Sequence, residues 1–221
     1  MSAIGEQVAV VSLGLSCQTS RQIDGHVPLL RTLTGDQTID KASLPFDWLI
    51  STPHGLTEMI AEADFFPEDH THLRDDQGRL RHRKYDVFYW HETRHLSRPG
   101  HPAFADAKGK FEHTSARFEQ IAKLDRVVGV LSDTQGNLPE LEATWDLPLT
   151  KTGIDQADAV RGSFEKLLGR SVELMMVSRN PRPGGALPAK SAYYEMTPQP
   201  KGWAGNGRDW AKVFRDYFAD A

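Results

Sequence analysis

The only cysteine in this 221-residue chain, Cys17, follows an apolar run, Val8-Ala9-Val10-Val11, and a glycine, Gly14. That order spells a strand, a tight turn and a helix start with a thiol at the turn. A thiol at a helix N-terminus feels the positive end of the helix dipole, which lowers its pKa and favours thiolate. A thiol nucleophile also needs a base within hydrogen-bond reach and a group that fixes the base's tautomer. His91 ends an aromatic stretch, Tyr85 to Trp90, and Asp133 follows the apolar run Val127 to Leu131. Cys17, His91 and Asp133 are therefore expected as nucleophile, acid–base and orienting group, with Asn137 as an alternative third member. Backbone amides from Ser16 to Gln18 would face a developing oxyanion, with the Gln18 side chain as a further donor. Ser12, Gly14 and Ser16 are expected to line the site with Gln18. The chemistry is hydrolysis or transfer at an amide, ester or thioester carbonyl through a thioacyl intermediate, and it calls for no cofactor. Against it stands the plainest account of a lone cysteine, a buried small hydrophobe.

Two further groups carry chemistry. Asp47 lies between Phe46 and Trp48 after Pro45, where burying a carboxylate is expensive unless it is paired. It either lines the site with Trp48, orienting His91 or holding a substrate group, or forms an Asx turn or cap before Ser51-Thr52. His91-Glu92-Thr93-Arg94-His95 matches the H-E-x-x-H pattern, in which two histidines one helical turn apart bind zinc and the glutamate is general base. His101 falls where an extended form of that motif has a third ligand, so His91, His95 and His101 make an alternative metal site. Against it, Tyr85 to Trp90 reads as a strand, Arg98 stands where the motif needs glycine, and Pro99 and Pro102 break a helix. A third class is a non-catalytic carbohydrate- or partner-binding domain that stacks ligands on aromatic residues such as Trp203. Glu195 and Asp209 read as solvated or capping groups.

These residues need elements to position them. Residues 17–23 and 56–63 read as helices, with 26–43 between them as an irregular excursion. Asp75-Asp76-Gln77-Gly78 marks a turn or hairpin, and 84–90 is a strand ending at His91. Residues 95–109 read as a loop and 111–124 as one helix. The run 126–131 is a strand buried on both faces, and 137–144 is a helix with Pro139 in its first turn. A helix over 154–168, a strand over 172–177, a loop over 181–188, a strand at Tyr193-Tyr194 and a helix over 208–218 complete the chain. The alternation predicts an α/β fold with a mostly parallel sheet flanked by helices, one domain over 1–221, its last third (150–221) resting on composition. If the strands are parallel, Cys17, His91 and Asp133 face one crevice beyond their carboxyl ends.

Ser12-Leu13-Gly14-x-x-Cys17 together with Pro45-Phe46-Asp47-Trp48 resembles the signature of a bacterial family of papain-like cysteine peptidases, itself largely a domain of unknown function. Phe88-Tyr89-Trp90-His91 is similar to that family's strand-end histidine, and the resemblance covers about the first two-thirds of the chain. Residues 35–40 read as an insertion, and Glu92-Thr93-Arg94-His95 departs from the acidic-then-aromatic pattern after the histidine. The resemblance implies a cysteine peptidase or a related thiol-dependent acyl hydrolase or transferase acting through Cys17 and His91.

Composition sets bounds. A formal charge of −4 leaves no basic footprint for nucleic acid or a membrane surface. No apolar run approaches the roughly 20 residues of a membrane span. The first residues carry no positive n-region, and one cysteine fits a reducing cytoplasm. The expected partner is a small-molecule, peptide or glycan substrate.

Overall fold

The computed structural model describes residues 6–40, 43–182, 184–199 and 202–219. In chain order the elements begin β1 (Val8–Ser12), α1 (Cys17–Gly25), α2 (Val27–Thr34), β2 (Leu49–Ser51) and α3 (Pro53–Glu62). Next come β3 (Leu73–Asp76), β4 (Arg79–His82), β5 (Val87–Tyr89), α4 (Phe104–Ser115) and α5 (Phe118–Ile121). The chain closes with β6 (Arg126–Ser132), α6 (Leu138–Trp145), α7 (Ile154–Leu168), β7 (Glu173–Ser178), β8 (Ser191–Glu195) and α8 (Gly207–Ala219).

Strands β1, β6, β7 and β8 form a sheet in that order, every pairing parallel. Alternate residues of its strands feed two cores. On one face Val8, Val10, Val128, Val130 and Val177 pack against Ile23, Leu30, Trp210 and Phe214 of α1, α2 and α8. On the other, Val11, Leu131, Leu174 and Met176 meet Leu56, Met59, Phe118, Val160 and Phe164 of α3, α5 and α7. Burial on both faces is why β1, β6 and β7 are continuous apolar runs rather than alternating ones.

The remaining strands form a second, antiparallel sheet in the order β2-β5-β4-β3. The single mostly parallel sheet of the sequence reading is therefore corrected to a parallel sheet plus an antiparallel one. The strand that ends at His91 belongs to the second. β3 and β4 are joined at Gln77 and Gly78, both left-handed (φ 52° and 85°), as a two-residue primed hairpin turn requires. Asp75 Oδ1 accepts the Gly78 amide at 2.8 Å, so the acidic-Gly cluster is the turn its sequence indicates.

Two loop readings conceal helices. Residues 26–43 contain α2, with Pro28 in its first turn, where a missing N–H costs nothing. Residues 95–109 contain the start of α4 at Phe104, and a tight step, Arg117 N to Thr114 O at 3.3 Å, divides the expected 111–124 helix into α4 and α5. Residues 1–5, which open the N-terminal segment, and Pro183, within the 181–188 loop, lie outside the described residues. No helix among the described residues is long and apolar enough to cross a membrane.

Helix α3 touches the antiparallel sheet through a glycine. A Cβ on Gly55 would lie 2.7 Å from the backbone nitrogen of Asp86, whereas one on Gly162, within α7, meets nothing within 4 Å. Gly55→Ala is expected to lower unfolding stability by about 1–3 kcal/mol through overpacking. Gly162→Ala should raise it by about 0.5–1 kcal/mol. Denaturant midpoints of the two variants check the contrast.

Candidate active site

The thiol is placed by a left-handed turn. Leu13 N still bonds Val130 O at 2.8 Å, continuing the parallel ladder. Gly14 (φ 90°) and Leu15 (φ 66°) then reverse the chain. Gly14 has no alternative, because a Cβ there would also press on Leu56 at 3.0 Å. Leu15 pays roughly 1–2 kcal/mol for its left-handed backbone. It is held there by burial (1% exposed) and by its carbonyl, which accepts the Ser51 amide at 3.3 Å. Ser12 Oγ accepts the Gly14 amide at 3.3 Å. Helix α1 then starts at Cys17 with Ser16 as its extended N-cap and no side-chain cap bond, leaving its first-turn amides without a side-chain acceptor.

The histidine arrives from the other sheet. Leu49 of β2 pairs with Tyr89 of β5, and Trp90 N bonds Trp48 O at 3.1 Å. A turn closed by Glu92 N to Tyr89 O at 3.1 Å follows. Antiparallel register thus sets the Pro45–Trp48 turn beside His91, whose ring meets that of Trp48 edge-on, centroids 5.7 Å apart. Lys110 lies over the Trp48 ring at 4.1 Å and pairs with Glu92 at 2.5 Å, bracing the turn. Asp47, 7% exposed, accepts the Leu44 amide on Oδ2 at 2.9 Å and so caps its own 3₁₀ turn. Thr52, not Asp47, caps α3.

Cys17, Trp90, His91, Gln135, Asn137 and Trp203 line one cavity of about 220 Å³. The structure brings Cys17 and His91 to the same cavity, with no hydrogen bond between them among the described residues. Asp133 is not brought in. Its carboxylate is 1% exposed and turns to the end of β7, accepting Ser178 Oγ at 3.1 Å, Arg179 N at 2.9 Å and Asn180 Nδ2 at 3.3 Å. Asn137, the alternative third member, is the one that lines the cavity. Gln18 is committed elsewhere: Nε2 donates to Trp203 O at 3.1 Å and Oε1 accepts Thr134 Oγ1 at 2.6 Å. It ties the Trp203 loop to the end of β6. Ser12, Gly14 and Ser16 build the turn, and Trp48 backs His91.

Three lining residues carried no catalytic signal in the sequence; Trp90 read only as the last residue of a strand. Trp203, 51% exposed, stood out only as a stacking surface. Gln135 did not stand out; its sole mark is a place just beyond a buried strand.

The charge state differs from the thiolate expected of a helix N-terminus. Burial pushes the Cys17 thiol up to about 11, its own backbone amide pulls it down, and the Asp47 carboxylate pushes it up again. Desolvation is the largest of these effects. Burial, Lys110 and Arg79 lower His91 below its ordinary 6.5, against the opposing pull of Glu92. Near neutral pH the two are therefore a neutral thiol and a neutral imidazole.

The zinc alternative loses its scaffold. Trp90 and His91 lie in a turn, Arg94–Ser97 form a single 3₁₀ turn, and the His95 and His101 rings stack 6.3 Å apart. No group of three metal-ligating side chains that could hold an ion occurs among the described residues. Glu195 is exposed and Asp209 sits in the first turn of α8, as a capping group does. Comparison of the chain with family models, curated proteins and solved structures gives no match.

Alkylation of Cys17 by iodoacetamide should rise with pH to a midpoint above 10, against about 8.5 for free cysteine. Asp47→Asn, which keeps an acceptor for Leu44 but removes the charge, should move that midpoint down. Separately, Asp133→Asn should cost about 1–3 kcal/mol of stability by turning a donor toward Arg179 N, read from denaturant unfolding.

Proposed function

We propose that this protein is a thiol-dependent acyl hydrolase or transferase in which Cys17 is the nucleophile and His91 the acid–base. The observation that carries this reading is the shared cavity. The chain's one thiol and a strand-end histidine, from two different sheets, open onto the same 220 Å³ space beside an uncapped helix N-terminus. The resemblance of the Ser12–Cys17 and Pro45–Trp48 stretches to papain-like cysteine peptidases supports the same chemistry.

The proposed cycle starts from a neutral pair. His91 accepts the Cys17 proton as Sγ attacks the carbonyl carbon, so thiolate forms only in the transition state rather than as a resting ion pair. The first-turn amides of α1 receive the developing oxyanion. The imidazolium protonates the leaving group, which departs and leaves a thioacyl ester on Cys17. An acceptor, water or an amine or hydroxyl compound, then gives its proton to His91 and attacks the thioester, restoring the thiol. The substrate is a small molecule, peptide or glycan-linked acyl group. The proposed setting is the cytoplasm, where an unpaired thiol stays reduced.

4-Nitrophenyl acetate tests the reading without knowledge of the natural substrate. A burst of nitrophenolate with one acetyl group on Cys17, seen by intact mass, is expected, and its loss in Cys17→Ala. His91→Gln should slow acylation by about 10²-fold or more. Because His91 must be neutral to act, the acid limb should have its midpoint below 6.5. Lys110→Met should shift that midpoint upward, since it removes a cation and frees Glu92. Acetylation of the folded protein that survives Cys17→Ala unchanged contradicts the proposal.

A further inference from the structure

Gln135 lines the cavity and has no part in that cycle. Gln135 is 2% exposed. Its backbone is clamped: Gln135 O accepts Arg179 Nη2 at 2.7 Å, and the next amide, Gly136 N, bonds Gly202 O at 3.0 Å. Its side chain is oriented too, because Nε2 donates to Asn137 Oδ1 at 2.7 Å. That bond turns Oε1 away from Asn137, and Oε1 is buried with no hydrogen-bond partner among the described residues. A buried acceptor left without a donor is costly, and the open space Gln135 borders is the cavity it shares with Cys17 and His91. The missing partner is a hydrogen-bond donor, and an amide N–H is the donor that also comes with an acylating carbonyl.

Size narrows the donor. At about 220 Å³ the cavity is smaller than the roughly 300–1,000 Å³ of ordinary ligand sites. It admits one small end of a substrate, walled by Trp90 and Trp203, rather than a chain running through.

Resting on the thiol reading above, we propose that the cavity takes a terminal primary carboxamide and that Gln135 is the specificity-determining residue, its Oε1 accepting the carboxamide N–H. Esters and thioesters have no such hydrogen. Sγ adds to the carboxamide carbon as its proton passes to His91. The C–N bond breaks with return of that proton to nitrogen, ammonia leaves, and the thioacyl ester remains. Water then cleaves the C–S bond, giving the carboxylic acid and the free thiol. The net reaction is carboxamide plus water to acid plus ammonia.

Matched alkylating reagents read this directly, and because Cys17 is the only cysteine, intact mass assigns every adduct. The rate of Cys17 labelling by 2-iodoacetamide is divided by that for methyl iodoacetate and compared with the same ratio for N-acetylcysteine. The quotient is independent of how much thiolate is present. The expected result is a ratio for the protein roughly tenfold or more above that of the free thiol, as for sites that reject analogues lacking a hydrogen-bonding group. 2-Iodo-N,N-dimethylacetamide, which has no N–H, should fall to the ester's level, a check that needs no variant. Gln135→Met should abolish the preference. Equal ratios for protein and free thiol, with Cys17 labelled, would overturn the carboxamide assignment and leave the thiol reading standing. A preference that persists in a folded Gln135→Met variant overturns the role of Gln135. A Cys17 that resists all three reagents until the protein is unfolded would overturn the thiol reading beneath both.

Discussion

The hydrogen bond from Ser51 N to Leu15 O ties together two parts of the chain that need each other. On one side is a left-handed turn that ends the first parallel strand and aims Cys17 along a helix. On the other is a three-residue strand whose antiparallel partner leads into His91. Without the turn the thiol would continue the ladder into the core; without β2 the histidine would have no fixed approach to it. The unfavourable φ of a buried leucine is the local cost of that junction. Burial of Leu15 and of Leu13 and Phe46 around it, each at most 1% exposed, offsets it.

The same junction sets the electrostatics. The turn that presents Cys17 also buries it near Asp47, and both effects hold the proton on sulfur. On the histidine side, Trp48 supplies a wall while Lys110 and Arg79 oppose a positive charge on the ring. A helix N-terminus alone predicts a reactive thiolate; a helix N-terminus buried beside a carboxylate predicts a stored thiol. The cavity that this thiol borders is lined by the carboxamides of Gln135 and Asn137 and, among the described residues, by no acidic or basic side chain other than His91.

Much of this was legible in the sequence, in proportion to how local the cause was. The strand–glycine–thiol order, the Gly78 hairpin, the apolar runs of β6 and β7, and the 154–168 helix follow from periodicity and turn chemistry within a few residues. What was not legible was long-range. Nothing local says that residues 84–90 join an antiparallel sheet rather than the parallel one. Asp133 lies at the expected strand end, yet it faces the β7 loop, because strand-end position fixes where a residue is and not where its side chain points. Gln135 has an unremarkable side chain whose meaning lies entirely in what its oxygen lacks. Helix α2 was hidden by Pro28 and Gly35, which mark its two ends rather than a loop.

The claim on which the rest stands is that the Cys17 sulfur and the His91 ring sense each other across one cavity. The most direct measurement is the titration of the His91 ring by nitrogen-15 NMR, before and after Cys17 is converted to its carboxymethyl derivative with iodoacetate at high pH. A carboxylate introduced within about 4–6 Å of an imidazole raises its pKa by on the order of a unit or more. The account predicts a His91 midpoint below 6.5 in the untreated protein and a clear upward shift in the carboxymethylated one. A His91 titration that is the same in both proteins would contradict it.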